Sequence, residues 1–192
     1  MRPADLSAAL VPVLDALARL GVRHFVAGSI ASSAHGVPRA SIDADVVAEL
    51  APAHAPGLIA ALADAYYIPQ QRLVDAIQQR SSFSVIHLET MVKVDVFVAN
   101  GVSDQRALGR IQLARLEGGV EMPVGSAEDT VLAKLEWFRR GGEVSERQWT
   151  DVLGLLRVAG PLDTEYLLEG ARDRRVSDLL DRATAEATGP GQ

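Results

Sequence analysis

Two aspartates, Asp43 and Asp45, stand at positions i and i+2 at the head of an apolar run, Val46-Val47-Ala48. That spacing constrains the chain more than any other feature. In a β-strand successive side chains alternate faces, so both carboxylates project from one side of a sheet while Ala44 points away. Two anions held a few ångströms apart repel until something positive neutralises them. Hard carboxylate oxygens suit Mg²⁺, which keeps waters and substrate phosphate among its ligands. The stretch leading to them begins where the strand-like run Arg23 to Ala27 breaks at Gly28-Ser29. A glycine lets backbone approach a ligand closely, and the N–H groups opening the short helix that follows attract phosphate. Ser29 suits both a helix cap and a phosphate contact, because the two use the same local geometry.

The rest of the chain frames this stretch. Its 192 residues allow one catalytic core with a small helical appendage. A hydrophobic share of 48% and a charged share of 23% are ordinary for a soluble globular protein, and no apolar run is long enough to span a bilayer, so no membrane partner is expected. With no cysteine there is no disulfide, thiolate metal site or cysteine nucleophile, and a cytoplasmic location is expected. The net charge of −6 argues against a broad phosphate-coating surface and confines any polynucleotide contact to a local patch.

Helical spacing of Leu6, Leu10, Val13, Leu14, Leu17 and Leu20, ended by Gly21, predicts an amphipathic first helix. Strands are expected over 23–27 and 42–48, with a helix of small residues over 29–35 between them and further helices over 56–65 and 70–79. Ser82 to Ala99 reads as a hairpin turning at Glu89-Thr90, its first strand carrying Phe83, Val85 and Leu88. In its second strand Val92, Val94, Val96 and Val98 share one face, leaving Lys93, Asp95 and Phe97 on the other. Asp95 interrupts an apolar strand and must reach solvent, a counter-charge or a metal, because a buried unpaired charge is costly. A short helix over 103–109 and a hairpin of 111–116 with 120–124 follow. Helices capped by Ser126 and Ser145, and two more over 164–171 and 176–187, complete an all-helical tail.

Gly28-Ser29, thirteen residues, then Asp43-x-Asp45 resembles the signature of the DNA polymerase β-like nucleotidyltransferase superfamily. Within it, the HGVPRASIDAD stretch from His35 to Asp45 is similar to small bacterial nucleotidyltransferases related to AbiEii-type abortive-infection toxins. Ala127 to Leu156 resembles that group's second half, with Lys134 and Asp151 at the positions that face the cleft, so the likeness covers about Gly21 to Leu156. Ala44 and Ala48 depart from the bulkier apolar residues often found beside the acids, which bears on strand packing more than on chemistry.

The resemblance implies an α/β (α+β) nucleotidyltransferase fold: a mixed, mostly antiparallel sheet flanked by helices, with a C-terminal helical region. Residues 1–125 would form the catalytic core and 126–192 the helical region. Asp43, Asp45 and Asp95 would be catalytic and hold Mg²⁺ or Mn²⁺. Gly28, Ser29, Arg39 and Lys134 would contact an NTP such as ATP, with Asp151 second to them. Two plain alternatives stay open: Arg39 pairing with Asp43 or Asp45, and Lys134 pairing with Asp151 to tie two helices. The acceptor would be a tRNA or other RNA end, a protein or a small molecule, and a toxin role would bring an antitoxin partner. The rival reading is a non-catalytic nucleotide- or RNA-binding module that keeps the cleft. Ser29, His35 and Asp43 do not make a hydrolase triad, since no GxSxG elbow exists, and Walker A and GxGxxG sequences are absent.

Overall fold

In the computed structural model, which describes residues 3–38, 41–115 and 120–189, the alternating burial of β2 (Asp43–Ala48) sets the layering. Ala44, Val46 and Ala48 are buried on one face, and Asp43, Asp45 and Val47 stand on the other. The neighbouring strands repeat the pattern: β4 (Ser82–His87) buries Phe83, Val85 and His87, and β5 (Lys93–Val98) buries Val94, Val96 and Val98. The two small alanines lie fully inside the core.

The sheet has seven strands among the described residues, in the order β3-β4-β5-β2-β1-β7-β6, with β1 (His24–Val26), β3 (Tyr66–Tyr67), β6 (Gln112–Arg115) and β7 (Glu121–Val124). Pairing is antiparallel except between β2 and β5 and between β1 and β7, so the sheet is mixed and mostly antiparallel as expected. Its apolar face packs against α1 (Pro3–Arg19), α3 (Ala55–Leu62) and α4 (Gln70–Gln79). There Leu10, Val13, Leu17, Leu58, Leu62, Leu73 and Ile77 form the main core with the strand valines.

The helix α2 (Gly28–Ala34) adds Ile30 to that core, while the other face carries α5 (Val102–Leu108), clustered with Phe25 and Val47, and the helical tail of α6 (Ala127–Arg140), α7 (Glu146–Val158), α8 (Thr164–Asp173) and α9 (Ser177–Thr188). The tail has its own core of Val131, Leu132, Leu135, Phe138, Trp149, Val152, Leu155, Leu167 and Leu179. None of these helices is long and apolar enough to cross a membrane.

Several local expectations shift. The first strand of the hairpin turns inward through His87, whose Nδ1 lies 2.9 Å from the Thr90 hydroxyl, while Leu88 falls in the turn and is exposed. Ile42 is outside β2 and exposed. The edge strand β3 and a 3₁₀ turn at Pro52–His54 carry too few residues for a period to show. The expected turn around Gly118-Gly119 lies outside the described residues.

Ser126 caps α6 as expected: its Oγ accepts from the Asp129 N–H at 3.1 Å and donates to Asp129 Oδ2 at 2.8 Å. Tyr166 on α8 donates to the other oxygen of Asp129 at 2.6 Å, so this buried carboxylate ties α6 to α8. Burial and that hydrogen bond raise the Tyr166 hydroxyl above its ordinary value. Ser126→Ala removes the cap and one partner of a buried carboxylate. It should cost about 1–2 kcal/mol in urea unfolding, with little change in the slope of the transition.

Candidate active site

The parallel register of β2 and β5 assembles the acids. Asp43 stands beside Lys93 and Asp45 beside Asp95, and all four side chains belong to the face opposite the main core. The turn into α2 closes on them from the β1 side. The Ala27 N–H donates to the Asp45 carbonyl at 2.9 Å, and Gly28 follows with a positive φ of 62°. A Cβ on Gly28 would overlap the Asp45 carboxylate, so only glycine brings this backbone against the acid. Ser29 is inside the first turn of α2; the capping position belongs to Ala27, which offers no side-chain acceptor. His35 at the other end of α2 donates from Nε2 to the Gly125 carbonyl at 2.7 Å, a packing role that links α2 to the segment entering α6.

Each acid has a distinct surrounding. Ser41 donates to Asp43 Oδ1 at 3.1 Å. Asp95 accepts from the Ser84 hydroxyl at 2.5 Å and pairs with Lys93 Nζ at 2.6 Å. Lys93 is in turn raised above its ordinary value, first by Asp95. Asp45 is the strained member: burial, then the charges of Asp43 and Asp95, push its carboxyl up to about 6, against the pull of Lys134 and Lys93.

Among the described residues no three acidic or imidazole side chains converge tightly enough to hold a metal as the rotamers stand. The donor set nonetheless fits a hard divalent cation. It is all oxygen and it sits on adjacent strands, with Asp45 directly beside Asp95.

Lys134 and Asp151 meet. Their side chains are 7% and 6% exposed and pair at 2.7 Å, joining α6 to α7, with Gln148 Oε1 at 3.4 Å from the same ammonium. Lys134 also lines the cleft with Asp45, so the structural pairing and the cleft-facing position coexist. The cleft has a volume of about 730 Å³ between the sheet and the helical tail. Arg39 lies outside the described residues.

Lys93 was passed over in the sequence. Its signal was the alternation that places it two residues before Asp95, but only the β2–β5 register sets it beside Asp43. Trp137 and Phe97 were also passed over as cleft residues, since α6 and β5 are far apart in sequence and meet only in the fold.

The sequence matches no family model and no curated protein. Solved structures do match. The antibiotic-resistance factor ANT(2'')-Ia aligns with a TM-score of 0.56 at 16% identity, covering 97% of this chain and 97% of that one. A nucleotidyltransferase-like protein from Paracoccidioides brasiliensis aligns at 0.55 and 15% identity, covering 96% and 94%. The lincosamide antibiotic adenylyltransferase LnuA aligns at 0.51 and 17% identity, covering 81% and 96%. The chain has the nucleotidyltransferase fold. This is the fold that Gly28-Ser29 and Asp43-x-Asp45 implied.

Two measurements probe the electrostatics. The folded value of Asp45 lies above its ordinary 3.8, so ionising it costs stability; the cost is absent below about pH 4 and full above about pH 6. With chelator present, Asp45→Asn should therefore stabilise the chain at pH 8 by on the order of 2–3 kcal/mol, the gain fading as pH falls through 6. Denaturant titrations at several pH values check this. Lys134→Ala should cost about 3 kcal/mol by removing one side of the buried pair with Asp151, and Lys134→Met with Asp151→Leu should recover most of it.

Proposed function

We propose that the chain is a divalent-metal-dependent nucleotidyltransferase that moves an NMP from an NTP to a hydroxyl acceptor and releases pyrophosphate. The observation carrying this reading is the rung of Asp45 beside Asp95, with Asp43 on the same face and the Gly28 backbone pressed against Asp45. Asp43, Asp45 and Asp95 would hold Mg²⁺ or Mn²⁺, which when bound offsets triphosphate charge and polarises phosphoryl oxygens.

The chain's own groups do the rest. The first N–H groups of α2 lack intrahelical partners and, with Ser29, would hold the departing phosphates. Lys134, facing the cleft beside Asp45, would offset negative charge as it builds, and Arg39 would share that task. Asp95 would take the proton from the acceptor hydroxyl as its oxygen attacks the α-phosphorus in line. The bond to the β-phosphate then breaks and pyrophosphate leaves. In this reading residues 1–125 form the catalytic core and 126–192 close one side of the cleft.

The acceptor is the hydroxyl of an RNA end, a protein or a small molecule. The similarity to LnuA, an adenylyltransferase named for a lincosamide antibiotic, supports ATP as donor and a small-molecule acceptor. The His35–Asp45 resemblance to AbiEii-type toxins supports RNA or protein, a toxin role with an antitoxin partner, and a cytoplasmic setting. One observation favours a second reading, a non-catalytic binding module: Lys93 already neutralises the third acid.

Incubation with α-labelled ATP, Mg²⁺ and separate pools of RNA, protein and small molecules distinguishes the two. The transferase reading expects label in one pool. Asp95→Asn should lower it by about 10²-fold or more while ATP affinity changes only a few-fold. No label in any pool, with ATP still bound by wild type, transfers the conclusion to the binding module.

A further inference from the structure

One face of α6 forms a wall of the cleft through Thr130, Ala133, Lys134, Trp137 and Arg140, residues three and four apart. Its tryptophan is unusual. Trp149 on α7 is 8% exposed, with its ring covered by Arg182, and its Nε1 donates to Glu186. Trp137 is 51% exposed and lines the cleft. It meets Phe97 in a T-shaped arrangement at a centroid separation of 6.2 Å, and the Arg140 guanidinium lies over its ring, 5.5 Å from the centroid. Glu136 holds that guanidinium in place by pairing with both Arg140 and Arg174.

Position along the sheet gives this aromatic pair its meaning. Phe97 lies two residues beyond Asp95 on the same face, and its rung partner Val47 lies two residues beyond Asp45. Two residues of strand carry the chain about 7 Å. On the opposite wall, Trp137 follows Lys134 by three residues, a rise of about 4.5 Å in the same direction. Floor and wall thus advance together from the acids to the rings, by roughly the length of one sugar.

We infer that Trp137, with Phe97 and Arg140, is the platform on which the nucleobase of the donor NTP stacks while its phosphates lie at Asp45 and Gly28. This inference rests on the proposed nucleotidyl-transfer reading. Arg140 lies over one face of the indole, and the half-exposed ring can take a planar base on the other, since every base has a π-face. The subsite therefore supplies affinity for a nucleoside as a class and leaves choice among bases to other contacts.

The test compares ATP with inorganic triphosphate, each with Mg²⁺, followed by intrinsic tryptophan fluorescence and by calorimetry. Wild type should show emission quenched by ATP and unchanged by inorganic triphosphate. Trp137→Ala should bind ATP about tenfold or more weakly, yet bind inorganic triphosphate as wild type does. Trp137→Phe, which keeps a ring, should stay within a few-fold of wild-type ATP affinity and lose the quench. If ATP binds without quenching and Trp137→Ala binds it normally, the nucleobase platform is overturned while nucleotidyl transfer stands. If neither ATP nor inorganic triphosphate binds wild type, both readings fall together.

Discussion

The repulsion among three carboxylates on one sheet face is the constraint on which the rest of the structure depends. The parallel register of β2 and β5 sets Asp45 directly beside Asp95. Burial, and then the charges of Asp43 and Asp95, raise the Asp45 carboxyl to about 6, so its ionised form carries a cost to stability. The apolar opposite face makes this tolerable, because Val46, Val94 and Val96 fix the strands from below. Local electrostatic cost at the cleft is offset by packing at the core.

Positive charge reaches this face by two different routes. Lys93 comes from the sheet itself, is partly exposed and touches Asp95 directly. Lys134 comes from the helical tail, is buried and is held by Asp151. A solvent-facing ammonium on a flexible stem yields easily to a competing cation, whereas a buried pair is dismantled only at considerable cost. One lysine is thus a partly exposed partner of Asp95, the other a buried partner of Asp151.

The helical tail also decides the shape of the cleft. Its core is separate from that beneath the sheet, and it meets the sheet side through few anchors, among them His35 with Gly125 and Arg106 with Asp173. Apolar contacts join these, with Val37 packed into the tail's core and Phe97 against Trp137. An aromatic ring can stay half-exposed there only because α6 is braced from behind by Val131, Leu135 and Phe138.

The sequence by itself determined the layers and the acids. Period-two alternation put Asp43, Asp45 and Asp95 on faces opposite their valines, helical spacing marked α1, α4 and the tail, and Ser126 and Ser145 announced their helices, because these signals are local and repeat over several residues. Elements too short to show a period, such as β3, were not legible, nor was the inward turn of His87, whose burial depends on Thr90. The tertiary structure alone decided that β2 lies parallel to β5 in the register that joins Lys93 to the acids. It alone seated Gly28 against Asp45, satisfied Lys134 with Asp151 while leaving it in the cleft, and brought Trp137 to Phe97. Each of these joins residues distant in the chain, and strand register and helix docking are fixed by packing of the whole core, which no local pattern encodes.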